Sequence, residues 1–197
     1  MAVARIYFSQ PTVHRLFLFK DKRNEMGDYI KKTNTGDVVK GAVAGLIGGL
    51  VASFVMSEFQ SLLSAILEEE KKSKKKREEE PANVKAAEEI SEAVFDHRLK
   101  KSEKEPAGEA MHYAMGATSG LIYGAAAEIA PMTTVGLGLP FGAAVWFVAD
   151  DVVVPALGLA KPATEYPFST HAYALSSHLV YGLTTDLVRR AVRDLLD

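Results

Sequence analysis

The sequence predicts an all-α integral membrane bundle of about four helices, packed through glycine ridges, with a charged, partly helical linker between the first and second spans. Three observations predict it. First, four long segments lack Lys, Arg, Asp and Glu: Gly41–Ser57, Ala110–Ala127, Ile129–Ala149 and Tyr166–Thr185. Each approaches the roughly 20 apolar residues that the hydrocarbon core requires. Second, glycines recur at intervals of four in three of these segments. Such rows let helix backbones approach closely in lipid. Third, charge is segregated. Lys and Glu crowd into Glu68–Glu109, and most of the rest lies before Gly41 or after Thr185. The mean hydropathy close to zero therefore averages a polar linker with apolar spans.

In chain order, residues 1–37 read as an N-terminal arm and 38–67 as the first membrane helix. Residues 68–110 form the linker, 111–190 three further membrane helices and 191–197 a tail. The arm is not a good signal peptide. His14 and Arg15 break its apolar run and no small-residue cleavage site follows. It is either a flexible arm or, before Met26, an upstream stretch that the cell does not use. Thr35, Gly36 and Asp37 offer the cap of the first helix. Gly41, Gly45 and Gly49 form its row. They serve packing within the bundle or a contact between two copies. Beyond Ser57, the residues Phe59, Leu62, Leu63, Ile66 and Leu67 extend it as an amphipathic helix.

The linker opens with EEEKKSKKKREEE, Glu68–Glu80. Mixed charge of this kind is a solvated face or a link, and a surface for a protein partner. Ala82–Leu99 carries Val84, Ala87, Ile90 and Val94 at helical spacing, which predicts a short amphipathic helix. Lys100–Gly108 reads as a second polar link.

The second span aligns His112, Gly116, Gly120, Gly124 and Glu128 on one ridge, about 24 Å long at 1.5 Å per residue. The end groups either sit at the two membrane interfaces or act inside the bundle. The third span, Gly136–Leu157, aligns Gly138, Gly142, Trp146 and Asp150, with Pro140 expected to kink or break it. Asp150 and Asp151 precede another apolar run, VVVPALGLA. Either the span ends at Ala149, or two carboxylates lie at membrane depth, where they would pair, bind a cation or take up protons. The fourth span opens at Pro167, with Ser169 or Thr170 as cap. His171 and His178 lie two turns apart on it, ahead of Asp186 and of Arg189, Arg190 and Arg193.

Several function classes are excluded or left empty. The formal net charge of −2 argues against a nucleic-acid binder. With no cysteine there is no disulfide, thiol catalysis or thiolate metal site. No phosphate loop, nucleophile elbow or HExxH occurs, and GLGLPFG lies in an apolar run rather than a strand–turn–helix unit. The reading is therefore non-enzymatic and calls for no cofactor and no metal. The candidate polar site is His112, Glu128, Asp150, Asp151, His171, His178 and Asp186. It suits a proton- or ion-linked role. The alternatives are a structural or partner-binding membrane protein, and a metal or haem site on His171, His178 and a third ligand.

The stretches HYAMGATSGLIYGAAAE, GLPFGAAVWFVADDVVVPALGL and YPFSTHAYALSSHLVYGLTTDLVRR, with the opening KGAVAGLIGGLVASFVM, resemble the YagU-like family of bacterial inner-membrane proteins of unknown function. The resemblance covers roughly two thirds of the chain and implies a multi-pass protein of the bacterial inner membrane. It brings no established substrate, cofactor or catalytic residue. Arg189, Arg190, Arg193 and the seven basic residues before Val38 place both termini in the cytoplasm by the positive-inside rule, although the lysines of the linker pull the other way. The implied partner is the lipid bilayer, with homo-oligomerisation left open.

Overall fold

In a computed structural model the described residues are 34–70 and 80–197, with side chains described except at 67–70. The N-terminal arm as far as residue 33 and linker residues 71–79 lie outside them. Among the described residues the secondary structure is helical throughout, with no strand.

Helix α1 spans Thr35–Glu70, 36 residues, or about 54 Å. Its cap is Asn34 rather than the expected Thr35–Asp37. Asn34 Oδ1 accepts the Gly36 N–H at 2.9 Å, and its carbonyl accepts from Asp37 and Val38. Helix α2, Ala82–Phe95, follows Pro81 and ends at Asp96 in the left-handed region, φ 50°. Helix α3 runs Lys101–Ile129, so the polar link expected at Lys100–Gly108 is instead mostly its first two turns. The cause is local. Glu103 reaches back to accept the Lys100 N–H at 2.8 Å, satisfying a donor that a helix start leaves open.

A 3-10 turn, Pro131–Thr134, and three successive positive φ values at Gly136, Leu137 and Gly138 reverse the chain. Helix α4 spans Leu139–Ala156. It is α-helical over Leu139–Trp146, π-helical over Phe147–Val153 and α-helical again at Val154–Ala156. Pro140 lies in its first turn, where the missing N–H breaks no helical bond. It starts the helix and does not kink it. The break considered at Ala149 is absent too, because the π segment carries the helix through Asp150 and Asp151. After a 3-10 turn at Ala163–Glu165, helix α5 spans Phe168–Leu195 behind Pro167, with no side-chain cap from Ser169 or Thr170.

The long helices run up, down, up and down. Helix α1 is central and packs on both α3 and α5; α4 packs on α5, and α2 on α3. Helices α3 and α4 meet through side chains, with Tyr123 stacked on Phe141 at 4.2 Å between ring centres.

Much of the interior is made of small residues. Ala44, Ala52, Ser53, Ser177 and Thr185 are fully enclosed, while Val43, Ile47, Phe54, Ile122, Phe147 and Val148 face outward. Gly41, Gly45 and Gly49 of α1 lie directly against Gly124, Gly120 and Gly116 of α3. A Cβ at Gly45 would stand 2.7 Å from the Gly124 Cα. On α4, Gly138 and Gly142 meet Gly182 and the His178 carbonyl of α5. Among the described residues two helices are long and apolar enough to cross a membrane, Thr35–Ile66 and Leu139–Ala156.

Candidate functional site

The seven candidate polar residues divide between the two ends of the bundle. At the end holding the α1–α2 and α4–α5 connections, a cavity of about 830 Å³ opens between α1, α2, α3, α4 and α5. Met56, Met115, Val145, Val153, Leu157 and Leu159 form apolar walls. His112, Asp150 and His178 supply its titratable interior, and Tyr181 lies at its inner end.

Helix register explains how these groups meet. The α3 ridge runs along the glycine row of α1, so His112 faces the residue after that row, Ser53. Its Nε2 lies 3.4 Å from the Ser53 carbonyl. Likewise the α4 row faces α5, and Asp150 Oδ2 stands 3.7 Å from His178 Nδ1. That nitrogen donates to the Ala174 carbonyl at 2.9 Å, which leaves Nε2 as the proton-accepting atom of a neutral ring. The next residue, Asp151, turns to His171, with Oδ1 at 3.5 Å from Nδ1. His171 Nε2 donates to the Ala163 carbonyl at 2.9 Å, and the ring stands edge-on to Trp146. Two successive carboxylates thus serve two histidines that lie two turns apart. The π segment contains both, and such segments recur at functional sites.

Tyr181 closes the cavity inward. It is buried, and its hydroxyl donates to the Gly116 carbonyl at 2.7 Å, joining α5 to α3. Thr185, one turn on, donates to the Tyr181 carbonyl at 2.8 Å.

Glu128 and Asp186 lie at the opposite end, each held by arginine. Asp186 is fully buried. It accepts from Arg189 Nη2 at 3.0 Å and Arg190 Nε at 2.8 Å. Arg189 also stands over the Tyr123 ring. Arg193 Nε donates to Glu128 at 3.1 Å and Nη2 to Asp37 at 3.3 Å, so one guanidinium ties α5 to α3 and α1. Asp197, also paired with Arg193 and with Lys40, has its carboxyl held below the usual range by the Arg193 hydrogen bond first and the Lys40 bond second. This end is a self-neutralised clamp, chemically unlike the cavity.

At the cavity mouth, Lys104 binds Glu88 at 2.6 Å and Glu80 at 3.1 Å. The Lys104 hydrogen bond is the main cause that lowers the Glu88 carboxyl. Glu88, followed by Glu80, raises the ammonium in return. This pair pins α2 to α3.

No three His, Asp or Glu side chains converge as a metal set among the described residues. His171 and His178 face different carboxylates, which leaves the metal or haem alternative without its third ligand. Sequence reasoning missed Ser53, Tyr181 and the Asp37–Arg193 pair. Ser53 had a signal: it continues the row Gly41, Gly45, Gly49 by one more interval of four. The other two depend on which helices adjoin.

A family model described as "Protein of unknown function (DUF1440)" matches residues 88–187. The matched region contains all seven candidate polar residues. No curated protein and no solved structure matches the chain.

Proposed function

The chain belongs to the DUF1440 family, and we propose that it is a small multi-pass membrane protein that handles protons or a small cation through His112, Asp150 and His178. The observation that carries this reading is the Asp150–His178 pair, 3.7 Å apart, inside a cavity that reaches Tyr181 in the bundle interior. Intramembrane carboxylates and histidines are costly and mark ion or proton paths.

The membrane part of the reading has its own support. Only 6% of α4 is buried within the fold, and Phe147, Val148, Val152 and Val153 face outward. An exposed apolar surface of that extent calls for lipid or a partner. The small-residue interior suits helix association in lipid, where close backbone approach replaces a large hydrophobic core. Helices α3 and α5 fail the apolar criterion alone. Both lie antiparallel to α1, α3 along its glycine row and α5 against Gly48, so they share whatever depth α1 occupies. The likeness to YagU-like inner-membrane proteins, the bacterial inner-membrane location and cytoplasmic termini belong to this proposal. With the termini inside, the cavity opens outward and the Asp186–Arg189 clamp closes the cytoplasmic end.

His178 Nε2 takes up a proton from the cavity, and Asp150 stabilises the resulting imidazolium. His112 sits across the same space. Passage further inward requires the Tyr181–Gly116 bond to open.

The test is proton and cation flux in vesicles holding the natural chain or the double variant Asp150→Asn/His178→Ala. Flux that the folded variant lacks supports the proposal. If neither protein passes ions over a range of pH and both fold alike, the ion-linked reading is lost. The glycine-packed, partner-binding membrane scaffold then replaces it.

A further inference from the structure

We propose that the cavity is a binding site for an organic cation, a protonated amine on a compact apolar body, with Asp150 as its counter-ion. The inference rests on the reading above that the cavity is functional, and it names a substrate class for it.

Four observations carry it. The first is size. About 830 Å³ lies within the range of small-molecule pockets, roughly 300–1,000 Å³, and is far more than a proton or bare metal ion needs. The second is the state of Asp150. Its carboxylate accepts no hydrogen bond among the described residues, and its ion-pair partner His178 stands 3.7 Å off with Nδ1 committed to the Ala174 carbonyl. The Asp150 side chain is 40% exposed, so its oxygens are open to accept a charge-assisted hydrogen bond from a ligand N–H. The third is the wall chemistry. Met56, Met115, Val145, Val153 and Leu159 line the same cavity as Asp150, and methionine surfaces adapt to varied apolar shapes. The fourth is the sign of the mouth. Glu80, Glu105 and Glu109 line it with Lys101 and Lys104, and Lys104 is already neutralised by Glu88 and Glu80. An anion would meet Asp150 and the mouth glutamates. A cation meets a carboxylate inside and an acidic excess outside. The other charged cluster, at the Asp186 end, is internally satisfied and leaves no charge for a ligand.

The experiment uses the full chain in lipid nanodiscs and isothermal titration with three probes of one shape: 2-phenylethylammonium, 2-phenylethanol and phenylacetate. The expected order is ammonium first, by about tenfold over the alcohol, as one charge-assisted hydrogen bond supplies, with the carboxylate last. Asp150→Asn brings ammonium and alcohol to within a few-fold of each other, and Met115→Trp, which fills the cavity from its wall, weakens both. Equal binding of ammonium and alcohol by the natural chain overturns the proposal, as does an unchanged preference in Asp150→Asn. Where Asp150→Asn does not fold, Met115→Trp decides: undiminished ammonium binding places the site elsewhere. Ammonium preference without ion flux supports the amine site and removes the ion-passage reading. Flux without ammonium preference does the reverse.

Discussion

Gly120→Ala is the sharpest test of how the bundle is held. Gly120 stands where α3 crosses α1, and a Cβ there would lie 2.8 Å from the Gly49 Cα and 2.9 Å from the Gly49 nitrogen, with the Gly45 carbonyl closer still. All three are backbone atoms of a long helix, so no side chain can swing away. Lifting the 2.8 Å contact to the 3.4 Å of ordinary contact takes about 0.6 Å, and the closer Gly45 carbonyl takes more, so α1 and α3 separate by at least about 0.6 Å. A gap of 0.5–1 Å forfeits roughly a quarter to a half of each dispersion well along the seam. Overpacking of this kind costs about 1–3 kcal/mol, and alanine's helix propensity returns at most about 1 kcal/mol. Because the clash is with backbone that cannot swing away, the upper part of the overpacking range applies, and the net expectation is a loss of about 1–2 kcal/mol. Gly36→Ala is the control in the same helix: its Cβ would meet only Asn34 side-chain atoms, none nearer than 3.5 Å, so it is neutral or slightly stabilising. The assay is unfolding by sodium dodecyl sulfate in mixed micelles, followed by circular dichroism. Equal midpoints for Gly120→Ala and the natural chain would refute close backbone packing as the source of cohesion.

Other expectations follow from the ion pairs. Asp186→Ala leaves Arg189 buried without its carboxylate and should cost about 3–5 kcal/mol, read by the same unfolding assay. Lys40→Ala removes a pair exposed at 40% and 61% and should stay within about 0.5 kcal/mol, so a large effect there would contradict the exposed geometry. The docking of α2 on α3 depends on pH. The Lys104 hydrogen bond holds the Glu88 carboxyl below the ordinary glutamate range, and the Lys100 N–H does the same for Glu103, so their contribution is complete above that range and is lost as pH falls through the lower folded values. Hydrogen exchange in α2 should therefore accelerate on acidification, and Glu88→Gln should remove most of that dependence.

Helical class and the direction of close packing are legible in the chain. The intervals of four in Gly41, Gly45 and Gly49, and in Gly116, Gly120 and Gly124, are a property of one helix at a time, since residues four apart share a face. Local punctuation was less legible. Asn34, rather than the residues after it, caps α1. Lys100–Gly108 became mostly helix because Glu103 caps it, and Pro140 turned from an expected kink into a helix start. Each outcome depends on where the first helical hydrogen bond forms, and a shift of one or two residues reverses the meaning of a proline or a cap.

The sequence by itself determined that this protein is all-helical, that small residues line its helices in rows, and that few titratable groups interrupt its long apolar segments. Only the tertiary structure decided that His112, Asp150 and His178 share a cavity while Glu128 and Asp186 are taken up by arginines at the far end. The reason is physical. Periodicity sets which residues share a face, but the partner of that face depends on helix order and rotation. Those are decided by long-range packing, here the meeting of glycine rows along α1–α3 and α4–α5.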